Sequence, residues 1–174
     1  MQFYKKITFS FILLLIFQTN LSAGAPYYID FKYILNQSEA GKKAQTSLKN
    51  KLSSGIKNLK DKEARIKDEE KKIIKQKKVL SPEDYKKKVN ELRNKISGLQ
   101  KERNLLLDTV AKQRAKARNE LLKNLNPLLS NYMKEKNIKM VIDKKNLILA
   151  NKSLDITKDI LALLNQKIKT IKLN

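Results

Sequence analysis

The side chains best able to do chemistry in this chain are its cations: 39 lysines and arginines stand against 17 aspartates and glutamates. Histidine and cysteine do not occur. Their absence removes imidazole and thiolate metal sites, nucleophile–histidine pairs and any disulfide. Only four glycines are present and none are clustered, so no glycine-rich loop can cradle a phosphate. The acidic residues stand among lysines on helical faces, as on a solvated surface, and neither catalysis, a metal nor a cofactor is expected. What remains is binding. Residues 42–124 hold 26 basic against 11 acidic residues, an excess of +15. That charge attracts acidic partners over roughly a Debye length, about 8 Å at physiological salt. Four apolar residues in the same stretch, Ile74, Val79, Leu105 and Leu107, lie off its helical stripe and are candidates for weak contact with a bound partner. The blander reading makes them scattered surface residues or contacts between helices.

The basic excess has two readings. Only five of the 39 cations are arginine, and asparagine and isoleucine are abundant, so a drift in composition alone would enrich lysine. A nucleic-acid groove more often uses arginine with interleaved aromatics, and residues 42–124 contain one aromatic, Tyr85. Nucleic acid is therefore disfavoured; an acidic polypeptide or an anionic lipid surface is the fitting partner.

The element that carries these side chains is legible in the same stretch. Leu52, Leu59, Ile66, Ile73 and Leu80 recur every seven residues, and Tyr85, Val89, Leu92, Ile96, Leu99, Leu106, Val110 and Ala117 follow in a heptad rhythm. Such spacing buries one narrow helical stripe against another helix. Between the two runs stands Ser81-Pro82-Glu83-Asp84, where serine caps, proline takes the first helical position and Asp84 completes a capping box. One helix is expected to stop near Leu80 and the next to start at Pro82. In an antiparallel hairpin turning at Leu80–Pro82, facing positions sum to a constant. Taking 162 sets Ile73 on Val89, Ile66 on Ile96, Leu59 on Arg103 and Leu52 on Val110, with an ion pair expected between Arg103 and Glu63. The second stripe then sets Leu99 on Glu63 and Leu92 on Glu70, so the seam is thin. Arms of roughly 40 residues reach about 60 Å and must project from a body. Gly55 and Gly98 mark soft places inside them, at about 1 kcal/mol each against alanine.

The chain's ends supply that body, over residues 25–41 and 125–174. Residues 1–24 read as a cleaved export signal: Lys5 and Lys6, an apolar run from Ile7 to Phe17, then small residues at Ser22-Ala23-Gly24. An uncleaved anchor is the alternative, but eleven apolar-rich residues are short for a membrane span. Tyr27 to Asp30 reads as a strand and Phe31 to Asn36 as a helical turn, with Ser38 capping the first arm. Pro127 is expected to kink the second arm, and Asn137 to end it in a left-handed cap. Residues 139–143 and 146–150 read as a β-hairpin, and Thr157 as the cap of a last helix bearing Ile160, Leu161, Leu164, Ile168 and Ile171. Ile29, Val141, Ile142, Leu147 and Leu149 would form the body. Three short strands leave exposed sheet edges, which closure in a homo-oligomer would cover. The fold class is α+β: a long helical hairpin on a small β body.

Across the mature chain the sequence resembles the Skp/OmpH family of periplasmic chaperones. The resemblance rests on Tyr28-Ile29-Asp30 with Ile34-Leu35, Ser38-Glu39-Ala40-Gly41 before the basic hairpin, Pro127-Leu128, Val141-Ile142-Asp143, Asp155-Ile156-Thr157 and Leu164-Asn165. It implies a homotrimer whose strands share a β-barrel body and whose three helical arms enclose a cavity. Unfolded outer-membrane β-barrel proteins would be held there, in the periplasm and without ATP, and passed to the membrane assembly machinery. Asn137 departs from the family's usual glycine, and residues 166–174 run past the usual end. The competing expectation is a structural or tethering coiled coil of the cell envelope that binds lipopolysaccharide or another anionic surface.

Overall fold

The computed structural model describes residues 25–173, so the export signal expected over residues 1–24 lies outside the described residues. Strand β1 (Tyr27–Ile29) leads into helix α1 (Phe31–Gln37), the long helices α2 (Glu39–Gln76) and α3 (Pro82–Glu135), strand β2 (Val141–Asp143) and helix α4 (Thr157–Lys167). The chain is mostly helical. Its two strands pair in parallel, Tyr27 to Ile29 against Val141 to Asp143. Parallel neighbours need a long crossover, and here the whole α2–α3 hairpin is that crossover.

Side chains near each helix start explain where the elements begin. The Tyr33 N–H donates to Asp30 Oδ1 (2.8 Å) at the head of α1. Ser38, fully buried, accepts from the Gly41 N–H (3.1 Å) and separates α1 from α2. Gly41 is required at that corner, because a Cβ there would collide with the Leu35 carbonyl. Ser81 accepts from the Asp84 N–H (3.1 Å), the serine cap expected, and the Asp84 carboxylate accepts from the serine hydroxyl (2.7 Å). Helix α3 runs through Pro127 to Glu135. Asn137 then takes φ 53°, and the Ile138 N–H reaches back to the Met133 carbonyl (2.8 Å), closing a left-handed cap.

Three expectations are corrected. Helix α2 ends at Gln76, not near Leu80; residues 77–80 form a turn in which the Val79 and Leu80 N–H groups donate to the Gln76 carbonyl. Second, residues 146–150 form no strand. Lys144–Asn146 is a 3-10 turn that carries the chain off the sheet, and Ile148 and Leu149 stand almost fully exposed. Third, Thr157 does not cap α4 but is its first residue. The capping contact comes from Asp155 Oδ1, which accepts the Thr157 N–H (2.9 Å), while Thr157 Oγ1 accepts the Asp30 N–H (2.8 Å). Thr157 thus ties α4 to the end of β1 across 127 residues of chain.

The core sits in the body. Ile34, Leu125, Ile160 and Leu164 are essentially sealed from solvent, with Ile29, Ala40, Leu121, Ile138 and Ile156 around them. Ile168 and Ile171, past the end of α4, also pack against this cluster. The same C-terminal segment grips the root of the first arm. The Glu39 N–H donates to Asn165 Oδ1 (2.8 Å), and Lys169 Nζ donates to Glu39 Oε1 (2.9 Å). Residues 166–171 therefore have a structural role.

Candidate functional site

The two long helices hold most of the described residues, and the seam between the arms decides which of their side chains face solvent. Contacts across them join Lys62 to Glu102 (2.5 Å), Lys95 to Glu69 (2.6 Å) and Lys51 to Gln113 (3.1 Å). Each of these pairs sums to 164. The expected Arg103–Glu63 ion pair is present at 3.6 Å and sums to 166. The register is thus not the one built on 162. A sum near 165 sets Ile73 against Leu92, Ile66 against Leu99, Leu59 against Leu106 and Leu48 against Ala117, and burial agrees: Leu48, Leu59, Ile73, Leu92 and Ala117 are all buried. Val110 is buried as expected; Leu52, Ile66 and Val89 are half-buried. Ile96, expected in the seam, is 48 % exposed.

The correction changes the reason for the seam's thinness but not the thinness. Apolar layers do meet, yet charged layers separate them: Lys62 with Glu102 lies between the Leu59 and Ile66 levels, and Glu69 with Lys95 between Ile66 and Ile73. All these ion pairs are substantially exposed and contribute little stability. Leu106 packs onto Gly55, where an added Cβ would stand 2.5 Å from Leu106 Cδ2. Gly55 is thus a packing position rather than a soft place. Gly98 faces open space.

The four candidate contact residues are all exposed: Ile74, Val79, Leu105 and Leu107. They do not form one patch. Ile74 and Val79 flank the turn at the arm's tip, whereas Leu105 and Leu107 lie on α3 more than 20 residues from Pro82, about 35 Å back along the helix axis. Leu105 and Leu107 are two positions apart and so point to different sides of α3. The arm therefore offers dispersed apolar contacts on a lysine-rich surface, suited to many weak contacts with an extended chain.

Of the expected body residues, Ile29 is buried, Val141, Ile142 and Leu147 are half-buried, and Leu149 is exposed. Two features escaped the sequence reading. One is a groove of about 820 Å³ at the root of the arms, rimmed by Arg114 and Arg118. Its one sequence signal was the placing of two of the chain's five arginines a single turn apart. The other is the hydrogen bond from the Tyr132 hydroxyl to Asp159 Oδ2 (2.6 Å), which joins α3 to α4. That bond, with partial burial, pushes the Tyr132 phenol up to about 12. No group of acidic residues that could hold a metal occurs among the described residues.

A long antiparallel helical hairpin inserted between two parallel strands of a small body defines the architectural class. The family model for outer membrane protein (OmpH-like) matches residues 27–164, and the chain belongs to that family. A solved structure from Caulobacter crescentus CB15, described as a candidate outer membrane chaperone (OmpH-like), has the same fold. It superposes with a TM-score of 0.78 at 21 % identity, covering 90 % of this chain and 94 % of its own. No curated protein matches the chain in sequence. The family match stops at residue 164, just before the segment that clamps Glu39.

Proposed function

We propose that this protein is an ATP-independent holdase of the periplasm that keeps unfolded outer-membrane β-barrel proteins from aggregating between its helical arms. The observation that carries the reading is the arm itself: exposed apolar residues dispersed over a basic surface, on helices joined by a seam with charged layers. Membership of the OmpH-like family supports it, as does the chaperone description of the Caulobacter structure. An unfolded barrel strand alternates apolar and polar residues and carries unpaired backbone groups, so it aggregates readily. Enclosing it weakly needs no chemistry, and the reading assigns the protein no catalysis.

The working unit in this reading is a homotrimer. Two three-residue strands make a sheet too small to stand alone, and Ile148 and Leu149 project from the strand-like run that finds no partner within the protomer. A neighbouring copy's sheet would cover both. Replacing Ile148 and Leu149 with serine is expected to lower the mass in light scattering from three protomers to one; an unchanged mass would move the interface elsewhere.

The decisive test is dilution of a urea-unfolded barrel protein into the mature chain without ATP, followed by light scattering. Suppression saturating near three protomers per client is the expected result. Scattering unaffected at tenfold excess would overturn the holdase and favour the second reading, an envelope coiled coil bound to lipopolysaccharide or another anionic surface through the +15 arms. Salt separates the two: an electrostatic surface binder releases its partner as salt rises, while a holdase keeps part of its grip. Replacing Ile74, Val79, Leu105 and Leu107 together with serine should weaken holding at unchanged mass.

A further inference from the structure

The groove at the root of the arms is built unlike the rest of the seam. Small residues, Ala44 on α2 and Ala117 on α3, stand where leucines stand farther out, so the two helices leave a concave apolar floor of about 820 Å³. That volume falls within the usual range for ligand sites, about 300–1,000 Å³. Its lining runs along α2 from Gly41 to Leu52, about 16 Å of helix. Five extended residues at about 3.3 Å each span the same length.

The charges on its rim are all cationic, with Asn36, Gln45 and Thr46 as neutral polar neighbours. Lys42 and Lys49 stand on α2 and Arg114 and Arg118 on α3, and no carboxylate lines the groove. None of the four has a carboxylate partner among the described residues. A drift toward lysine accounts for lysines but not for two of five arginines at one groove. Arginine is the residue that grips a carboxylate by two parallel hydrogen bonds. Arg118 is held in place over the Phe31 ring, 6.0 Å from its centroid.

The spacing selects the ligand. Arg114 and Arg118 are one turn apart, about 6 Å along the helix axis. Alternate side chains of an extended peptide, on one face, lie about 6.6 Å apart. We infer that the groove binds an extended client segment in which acidic and apolar residues alternate, acids to the guanidinium groups and apolar side chains to the floor. A single-headed anionic amphiphile would occupy one level of charge and leave the other unpaired. A second copy of this chain supplies no such strand, because its described non-helical segments carry acids only at Asp30, Asp143 and Asp155, far apart in sequence. The inference rests on the holdase reading and names the class of segment that the holdase grips at the arm root.

The test is fluorescence anisotropy of labelled ten-residue peptides on the full mature chain. One peptide alternates aspartate and leucine, a second has the same composition in two blocks, and a third alternates lysine and leucine. The alternating acidic peptide is expected to bind at least tenfold tighter than the block isomer, with the basic peptide unbound. Arg114→Gln with Arg118→Gln should lower its affinity at least tenfold. The charge-matched control Arg65→Gln with Arg93→Gln, outside the groove, should change it less than threefold. Should the glutamine pair fail to fold by circular dichroism, Arg114→Lys with Arg118→Lys keeps the charge, removes the forks and should still cost several-fold. Equal binding of the two acidic isomers, or equal loss in both glutamine pairs, overturns the inference. So does stoichiometric displacement by dodecanoate, which would make the groove a fatty-acid site, or a change in oligomeric mass, which would make it an interface between copies. A wild-type chain that suppresses client aggregation but ignores the peptides sinks the groove alone. One that fails to suppress aggregation sinks the holdase reading.

Discussion

Body and arm are built from the same residue types and differ in how many directions those residues are packed from. In the body, Ile34, Leu125, Ile160 and Leu164 come from three helices and shut one another off from solvent completely or nearly so. In the arm, a buried residue such as Leu59 meets one facing helix and keeps solvent on its flanks, with charged layers above and below it. A cluster enclosed on all sides fixes geometry, whereas a single seam holds two rods together and leaves them free to bend. The proposed holdase would use both, a fixed base and compliant walls.

The contrast can be broken most directly by removing one leucine from each region. Leu125→Ala in the body is expected to cost about 3–5 kcal/mol in urea unfolding, and Leu59→Ala in the arm about 2 kcal/mol, the lower end for such truncations. Equal costs would show that the arm is as rigidly packed as the body. Gly55→Ala and Gly98→Ala sharpen the picture within the arm. The first must displace Leu106 and should destabilise by about 1–2 kcal/mol, although alanine is the better helix former. The second meets nothing and should stabilise by up to about 1 kcal/mol. Ser81→Ala removes the cap at the tip and should cost about 1 kcal/mol without altering the body.

Smaller effects come from titration. The Tyr132 phenol donates to Asp159, and its pKa is raised to about 12. The folded state therefore holds its proton more tightly than the unfolded chain, whose phenol titrates near the ordinary value of 10.0. The contribution is fully present below about pH 10 and is lost as pH rises toward about 12. Tyr132→Phe should flatten stability across that window, with absorbance titration of the phenol as the independent check. Smallest is the clamp on the arm root. The Glu39 carboxyl is lowered from its ordinary value, first by the hydrogen bond from Lys169. Its contribution is present above the ordinary carboxylate pKa and fades as pH falls below it. Lys169→Gln should abolish that fade and barely move the unfolding midpoint at neutral pH, since the pair is exposed.

Much of the arm was legible because its signals are local. Heptad spacing, the Ser81 and Ser38 caps and the left-handed residue at Asn137 depend on neighbours a few positions away, and the structure has each of them. The register was not local. A heptad alternates steps of three and four, so a slip of three residues carries one apolar stripe onto the other. Sums of 162 and 165 therefore both give apolar pairs, although 165 also moves Leu59 off Arg103, Leu92 off Glu70 and Leu99 off Glu63. The turn at residues 77–80 and the cross-arm pairs of Lys62 and Lys95 select the register near 165. The candidate contact residues were legible as residues off the stripe and are exposed, but their separation into a tip pair and a mid-arm pair followed from the fold.

The body shows the opposite balance. Residues 146–150 have the composition of a strand, yet a strand exists only where another chain segment takes its hydrogen bonds, and none does within this protomer. Thr157 has the chemistry of a cap, but the Asp30 N–H occupies its hydroxyl. The groove at Arg114 and Arg118 likewise needs Leu35 and the two arm roots together, brought into contact from separate parts of the chain. By itself the sequence determined the long helices, the starts of both arms and their basic charge, because periodicity and capping act within a turn or two of the backbone. Tertiary structure decided the register, the strand count and the groove, because each depends on which distant segment supplies the facing atoms.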